Sequence, residues 1–411
     1  MKTVKLMHFA DIHFGIETYG RIDPETGLNT RMLDFRRSLD AAIESALAAG
    51  VHLALFAGDA YKTRDPNQTQ QREFARCIKR LTESGVPVVM VTGNHDLPNA
   101  RSRANALEIY RTLGVDNVHI LSRPEIIKID TSAGPVQVAG MPYLLRSTAL
   151  AKEESRGKSI VETTDLMVEQ YSRYIDYLAR SLEPDTPSVL LGHFWIKNAR
   201  VSSQTGYLNV AEPEVLVSTV ANPAFDYVAM GHIHKFQDLN KHAHPSVVYC
   251  GSPDRIDFSE RGEEKGFVLV ELKKGSASYS FISTPARRFA EIDVDADVPD
   301  PTAAILKSIE EANVEDAVVK LCYHVSEERL PLVREAEVRE ALAGAFMVAS
   351  VTKDVLQKES RSRNRLLNES LDPMQALEMY FDSRDECKKR KEELLNYTRP
   401  LLEELLAEEQ V

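Results

Sequence analysis

Cysteine is scarce and scattered in this 411-residue sequence: Cys77, Cys250, Cys322 and Cys387 show no paired spacing. That argues against a disulfide framework or a cysteine-based zinc knuckle, and reduced thiols fit a cytosol. Long apolar runs are missing too. No stretch approaches the ~20 residues needed to span a bilayer, so no membrane-spanning segment is expected. The opening Met1 to His8 has a basic start but no apolar signal core, because Asp11 and His13 interrupt it, and a cytoplasmic protein is expected. Nor is there a basic excess: 50 Lys and Arg against 62 Asp and Glu give a formal net charge of −12. This argues against a uniformly basic nucleic-acid coat, while local patches can still hold phosphates; charge alone neither supports nor excludes DNA. What is present is a globular composition, long enough for two or three domains.

The first hundred residues alternate between apolar runs and helical periodicity. Val4 to Ala10 reads as a strand ending in Asp11-Ile12-His13, and Val51 to Ala57 as a strand delivering Gly58-Asp59. Val86 to Val91 leads into Thr92-Gly93-Asn94-His95-Asp96. Between them, Phe35, Leu39, Ile43 and Leu47, then Phe74, Cys77, Ile78 and Leu81, recur at helical spacing, with Gly50 and Gly85 as stops. Strand, helix and strand in alternation predict an α/β domain with parallel strands. Later, Ala104 to Leu113 reads as a helix, Ile126 to Ile129 and Val136 to Ala139 as strands, and Leu166 to Leu182 as a longer amphipathic helix. Ser188 to Leu191 is a strand ending in Gly192-His193, and Tyr227 to Met230 one ending in Gly231-His232-Ile233-His234.

Hairpin-like alternation from Gly266 to Ile282 closes a first domain, residues 1–285. Residues 286–357 read strand, helix, strand, helix, strand, a small α+β unit. A basic linker, 358–372, contains Arg361, Arg363 and Arg365, and a helix-prone tail, 373–411, presents Leu377, Tyr380, Phe381, Leu394 and Leu395. That tail either docks back on the protein or meets a partner.

Five strand ends thus present Asp11 and His13, Asp59, Asn94 and His95, His193, and His232 and His234. Ligands bind beyond the carboxyl ends of strands in open α/β sheets, so these side chains are expected in one crevice. Carboxylates, imidazoles and an amide, with no thiolate, suit Mn²⁺, Fe²⁺ or Zn²⁺ rather than Ca²⁺, and the set is too large for one ion. Two ions about 3.5–4 Å apart can bind a phosphate, acidify a water and support in-line attack on phosphorus. Each motif alone is common; their joint order, each after an apolar run, carries the signal.

These five motifs resemble those of the calcineurin-like metallophosphoesterases. The wider segments His8-Phe9-Ala10-Asp11-Ile12-His13-Phe14-Gly15 and Gly251-Ser252-Pro253-Asp254-Arg255-Ile256-Asp257-Phe258-Ser259-Glu260 resemble the SbcD nuclease family. The resemblance covers nearly the whole chain. It implies an αββα sandwich with a capping domain and a helical tail, and a nuclease using Mn²⁺, with Mg²⁺, Fe²⁺ or Zn²⁺ as alternatives. It also implies an SbcC-type coiled-coil ATPase partner that the tail would dock, a homodimer, and action at DNA ends in double-strand-break repair. Residue by residue, it puts Asp11, His13 and His234 on one ion, Asn94, His193 and His232 on the other, and Asp59 between them. His95 is then the residue facing the leaving oxygen, with Asp96 orienting it. At Lys62 the sequence departs from family members that carry a second active-site histidine there; it reads as a surface lysine or as a phosphate contact.

Candidate DNA contacts are Arg21, Arg31, Arg36 and Arg37, then Arg101 and Arg103, then Lys197 and Arg200, all expected to touch backbone phosphates without reading bases. Gly157-Lys158-Ser159 lacks the upstream glycine and strand of a nucleotide-binding loop. His242 and His244 have no third ligand nearby, and His8 reads as support or packing. Two other functions share parts of the evidence: a calcineurin-like phosphodiesterase or phosphatase on small molecules or nucleotides, and a DNA-end scaffold subunit.

Overall fold

Alternate residues of the apolar runs enter different cores, and this is what stacks the first unit into layers. The computed structural model describes residues 2–98, 103–149, 157–201, 212–356, 373–383 and 390–408. In β1 (Val4–Phe9), Val4 and Leu6 face one core while Met7 and Phe9 face another. β2 (Leu53–Phe56) and β3 (Val88–Val91) divide in the same way, with Leu53, Leu55, Val89 and Val91 on the side of Leu6. The period of two in a strand gives each face its own set of side chains.

The first sheet runs β12 (Ser276–Ser283), β11 (Gly266–Lys273), β1, β2, β3, β4 (Val118–Leu121), parallel from β1 to β4, with β11 antiparallel to β1. The second sheet runs β5 (Glu125–Thr131), β6 (Gly134–Met141), β7 (Ser188–His193), β8 (Tyr227–Gly231), β10 (Ser246–Tyr249), β9 (Gln237–Asp238), parallel from β6 through β10. Val136, Val138, Val189, Leu191, Tyr227 and Ala229 of the second sheet join Leu6 and Leu55 of the first in one core, so the sheets pack face to face. Their outer faces are covered by helices. α1 (Thr30–Ala48) and α2 (Gln68–Glu83) lay Phe35, Leu39, Ile43, Phe74 and Ile78 on the first sheet. The mixed α/β sandwich with two large sheets flanked by helices is therefore as the sequence predicts.

Two helices differ from their sequence-based bounds for local reasons. α3 is only Glu108–Thr112, because the Asn105 side chain accepts from the Leu107 and Glu108 N–H groups, each at 3.0 Å, and caps the chain later than expected. α4 begins at Ile160 and ends at Arg180, since Ser159 and Glu162 close a capping box. The Gly157-Lys158-Ser159 tripeptide is thus a helix start. α4 lays Tyr171, Ile175 and Leu178 on the outer face of the second sheet.

The described chain divides into two compact units: Met1–Glu291 with Ala312–Lys320 and Gly344–Ser350, and Ile292–Glu311 with Leu321–Ala343 and Val351–Val411. The returns at 312–320 and 344–350 have a packing reason, since Phe258, Phe289 and Val318 form a small core with Tyr19, Phe346 and Met347 inside the first unit. The second unit carries the larger part of a three-stranded sheet, β13 (Phe289–Asp295), β14 (Val318–Ser326) and β15 (Met347–Leu356), with α5 (Pro301–Ala312) and α6 (Glu335–Ala341). Its last helices, α7 (Pro373–Ser383) and α8 (Lys391–Glu408), pack on each other and bury Phe381 and Leu395. The basic linker, 358–372, lies outside the described residues. Among the described residues no helix is long and apolar enough to cross a membrane.

Candidate metal centre

Parallel strands end at the same edge of a sheet, and in this unit β1, β2 and β3 of one sheet and β7 and β8 of the other all deliver polar side chains just past their last residues. The chain turns sharply there. Asp11, His13, Asp59 and His232 have φ of 54°, 50°, 60° and 98°, a left-handed region that non-glycine residues occupy at a cost and that clusters at functional sites. The strain is held by backbone bonds: Asp11 N–H donates to Gly58 O at 3.0 Å and Ile12 N–H to Asp59 O at 2.9 Å. At Gly93 the space itself demands glycine, because a Cβ there would lie 2.1 Å from Asp59 Oδ1.

The seven expected ligands form two wells that share one carboxylate. In the first, His13 Nε2 lies 3.1 Å from His234 Nε2 and 4.0 Å from Asp11 Oδ1. In the second, Asn94 Oδ1 lies 3.1 Å from His193 Nε2 and 3.2 Å from His232 Nδ1. Asp59 Oδ2 sits between them, 3.7 Å from His13 Nε2 and 3.4 Å from His193 Nε2.

The tautomers decide what these wells fit. His193 Nδ1 is 2.6 Å from Ala57 O, which can only accept, so the proton is on Nδ1 and Nε2 turns a lone pair toward the Asn94 oxygen. His234 Nδ1 donates to Glu260 Oε1 at 2.8 Å, so its Nε2 turns a lone pair toward His13. His232 Nε2 lies 3.0 Å from Glu212 Oε1 without an aligned hydrogen bond, and its Nδ1 faces Asn94. In the second well His193 Nε2 and Asn94 Oδ1 face each other as acceptors and repel unless a cation or a proton lies between them, and in the first the His234 Nε2 lone pair faces His13 Nε2 beside the Asp11 carboxylate, so the donor atoms of both wells fit divalent cations. The electrostatics agree. Burial would raise Asp59, but His193, then His13 and His95, hold it well below the usual carboxylate range. Burial would lower His193, yet the Asp59 charge and hydrogen bond raise it to about 9, so that without a cation a proton on Nε2 takes the place between these acceptors. Asp11 is raised by its burial, against the pull of His234 and His193.

His95 stands beside the wells, its ring 5.0 Å from that of His13. Its N–H donates to Asp59 Oδ1 at 2.9 Å, and its ring Nδ1 is 2.8 Å from the Lys62 carbonyl oxygen. Burial lowers its pKa, with Asp59 opposing. One expectation is corrected here. Asp96 does not orient His95: its carboxylate accepts from the backbone N–H groups of Asp59 at 2.9 Å, Ala60 at 3.0 Å and Gly93 at 2.9 Å. Asp96 instead fastens the turn carrying Asp59 to the one carrying Asn94, and a buried carboxylate among backbone donors suits that task. Burial and the neighbouring Asp59 push it up to about 7. The group that orients His95 is the Lys62 carbonyl, while the Lys62 side chain is exposed.

Among the candidate DNA contacts, Arg31 is fully buried, paired with Asp34 at 2.8 Å and Asp254 at 3.6 Å, and cannot reach a phosphate. Arg36 is tied to Glu73 at 3.2 Å and Arg37 to Asp34 at 3.3 Å. Arg21, Lys197 and Arg200 are exposed, and Arg103 is exposed with a surface pair to Asp65 at 3.3 Å. Arg101 lies outside the described residues. His8 is buried between Tyr227 OH at 3.1 Å and Met230 O at 3.2 Å, and burial pushes it down to about 3, so it packs the two sheets together. Sequence reading missed Glu212, which no local pattern marks, and gave no role to Glu260, although it ends a motif that was singled out.

A model of the calcineurin-like phosphoesterase family matches residues 4–236, more than half of the chain. Solved structures similar to this chain include a dimetal phosphatase from Danio rerio, at 11% identity over 69% of this chain and 100% of that one, TM-score 0.40. Another is purple acid phosphatase from yellow lupin seeds, at 13% identity over 68% of this chain and 51% of that one, TM-score 0.40.

Proposed function

The chain belongs to the calcineurin-like phosphoesterase family, a family of phosphoester hydrolases, and within it we propose a metal-dependent DNA nuclease that works at double-strand breaks. The observation that carries the reading is the pair of lone-pair wells sharing Asp59, with His95 alongside. Asp11, His13 and His234 would hold one cation, Asn94, His193 and His232 the other, with Asp59 common to both. When bound, two divalent cations supply Lewis acidity to the phosphate and acidify the attacking water; the mixed oxygen and nitrogen set suits Mn²⁺, Fe²⁺ or Zn²⁺, and the family resemblance favours Mn²⁺, with Mg²⁺ a further alternative. The protein does the rest. His193 is fixed by Ala57 O and His234 by Glu260, while the Glu212 carboxylate lies against His232, so these two donors are preset before substrate arrives. His95, oriented from Nδ1 by the Lys62 carbonyl, presents Nε2 to the leaving oxygen and stabilises or protonates it.

DNA as substrate is supported by the exposed Arg21, Arg103, Lys197 and Arg200 on the same unit, which suit phosphate contacts without base readout. Exonuclease action on duplex ends and endonuclease action on single strands and hairpins are the expected activities. The helical pair α7 and α8 exposes Tyr380 and Tyr397, which supports docking to an SbcC-type ATPase, and exposed Ile109 and Leu113 support a homodimer. A second reading has its own observation: a cavity of about 440 Å³ lined by Tyr143, Arg146, Ser147 and Glu212 opens beside His232, a volume suited to a nucleotide or other small phosphodiester.

One panel separates the two. End-labelled duplex, hairpin and single-stranded DNA are offered beside nucleotide phosphodiesters, each with Mn²⁺ and with Mg²⁺. Cleavage of DNA, strongest with Mn²⁺, is expected; hydrolysis of the small esters with intact DNA would replace the nuclease reading with the second.

A further inference from the structure

We propose that Glu260 and Lys265 are positioning residues that clamp His234 at both of its ends, and that the Gly251 to Glu260 motif is folded as it is to carry this clamp. The inference rests on reading the strand-end cluster as a metal centre. At the ring, Glu260 Oε1 accepts from His234 Nδ1 at 2.8 Å. At the backbone, the His234 carbonyl accepts from Lys265 Nζ at 3.1 Å and from Ser252 N–H at 3.1 Å. The two clamps are joined, because Lys265 Nζ lies 2.8 Å from Glu260 Oε2 and also donates to Ser252 Oγ and Glu263 Oε2, each at 3.1 Å. Ile256 N–H donates to Glu260 Oε2 at 2.9 Å and fills the acceptor's remaining direction.

The motif's other residues make room for this arrangement. Gly251 has φ +74°, and a Cβ there would lie 2.8 Å from the His234 carbonyl oxygen, so any larger residue would push the clamp off its target. Asp254 ties the segment back to α1 through Ser38 Oγ at 2.6 Å and Arg31 at 3.6 Å. The Glu260 and Lys265 side chains are both almost fully buried. A buried ion pair is weak evidence for stability, because desolvating both charges costs about as much as their attraction returns. Here both members point at the same histidine, one at its ring and one at its carbonyl. An apolar wall could pack against the ring as well, yet it could not select the Nδ1–H tautomer or make Nε2 more basic. Carboxylate partners of this kind typically govern ligand affinity by about 10–100-fold.

The test uses the full chain and two variants. Glu260→Gln keeps an acceptor but removes the charge, and Glu260→Gln combined with Lys265→Met removes both charges, so that no buried ammonium is left unpaired if the single variant unfolds. Two readouts are taken. Ring ¹⁵N shifts of His234 in metal-free protein report its tautomer, and calorimetric titration with Mn²⁺ reports the two affinities. We expect the wild type to hold Nδ1–H and the double variant to populate both tautomers, with one Mn²⁺ weakened about 10–100-fold and the other unchanged. A folded double variant with an unchanged His234 tautomer and two unchanged Mn²⁺ affinities would overturn the proposal. Wild-type protein that takes up no Mn²⁺ would instead overturn the metal-centre reading, and the metal-free tautomer comparison would still decide the clamp.

Discussion

Among the described residues stand two clusters of histidine and acid, one at the strand ends of the first unit and one on the sheet of the second. Asp293, Cys322 and His324 also bring three ligand-type atoms within 4.8 Å of one another, as Asp11, His13 and His234 do. Their chemistry of residue types is similar; their bonding is not. His324 gives Nδ1 to Asp354 and Nε2 to Asp293, each at 2.8 Å, so both ring nitrogens are occupied. At the strand ends each of His193 and His234 gives one nitrogen to the protein and turns the other toward fellow acceptors. What makes a cation site is therefore a set of donor atoms turned toward one another, with only a cation or a proton to lie between them, held by partners behind them. The second cluster is a cross-strand ion triad.

The comparison can be broken at its centre. Asp59→Ala removes the carboxylate common to both wells and should lower phosphodiesterase activity on the order of 10³-fold or more, with Mn²⁺ stoichiometry falling in the same protein. A DNA-end scaffold would keep its function in repair assays under that substitution, whereas a nuclease would lose it. His95→Ala should cost about 10²–10⁴-fold in activity with both Mn²⁺ ions still bound, measured by metal analysis after dialysis. Loss of both ions would remove His95 from its assigned place outside the wells.

Smaller effects sharpen the contrast. Asp96→Ala leaves three buried backbone N–H groups without an acceptor, each worth about 1–3 kcal/mol, so chemical denaturation should show a clear loss of stability even without metal. Unchanged stability would return Asp96 to a role at His95. The least effect is expected at His324. Hydrogen bonds donated by its ring to Asp354 and Asp293 raise its pKa above the ordinary 6.5, so the folded protein holds this proton more tightly than the unfolded chain. Its stabilisation is complete below 6.5 and is lost as pH rises through the folded value. Thermal unfolding followed from mildly acid to alkaline pH should show that decline in the wild type and lack it in His324→Ala, with Mn²⁺ uptake unaltered.

Much of the fold was legible in the sequence, because near-continuous apolar runs such as Val88 to Val91 announce strands buried on both faces. Helix bounds were harder. Asn105 and Ser159 decide where α3 and α4 begin through local side-chain bonds that periodicity does not register. At the site, Asp11, His13, Asp59, Asn94, His193, His232 and His234 could be singled out because each ends an apolar run, and parallel strands send their ends to one edge. Arg31 shows the limit: its position after a polar loop looked suited to DNA, and only its burial against Asp34 and Asp254 makes it structural.

The sequence by itself determined which residues carry lone pairs and on which strand ends they stand. Spacing and residue type are local properties, and the strands that carry them form from local patterning. Only the tertiary structure decided which nitrogen of each histidine faces inward, that Asp96 serves backbone N–H groups, and that Lys62 acts through its carbonyl. It also brought Glu212 to His232 and Glu260 to His234. Those assignments depend on hydrogen bonds between residues far apart in the chain, whose directions are set when the two sheets close on each other.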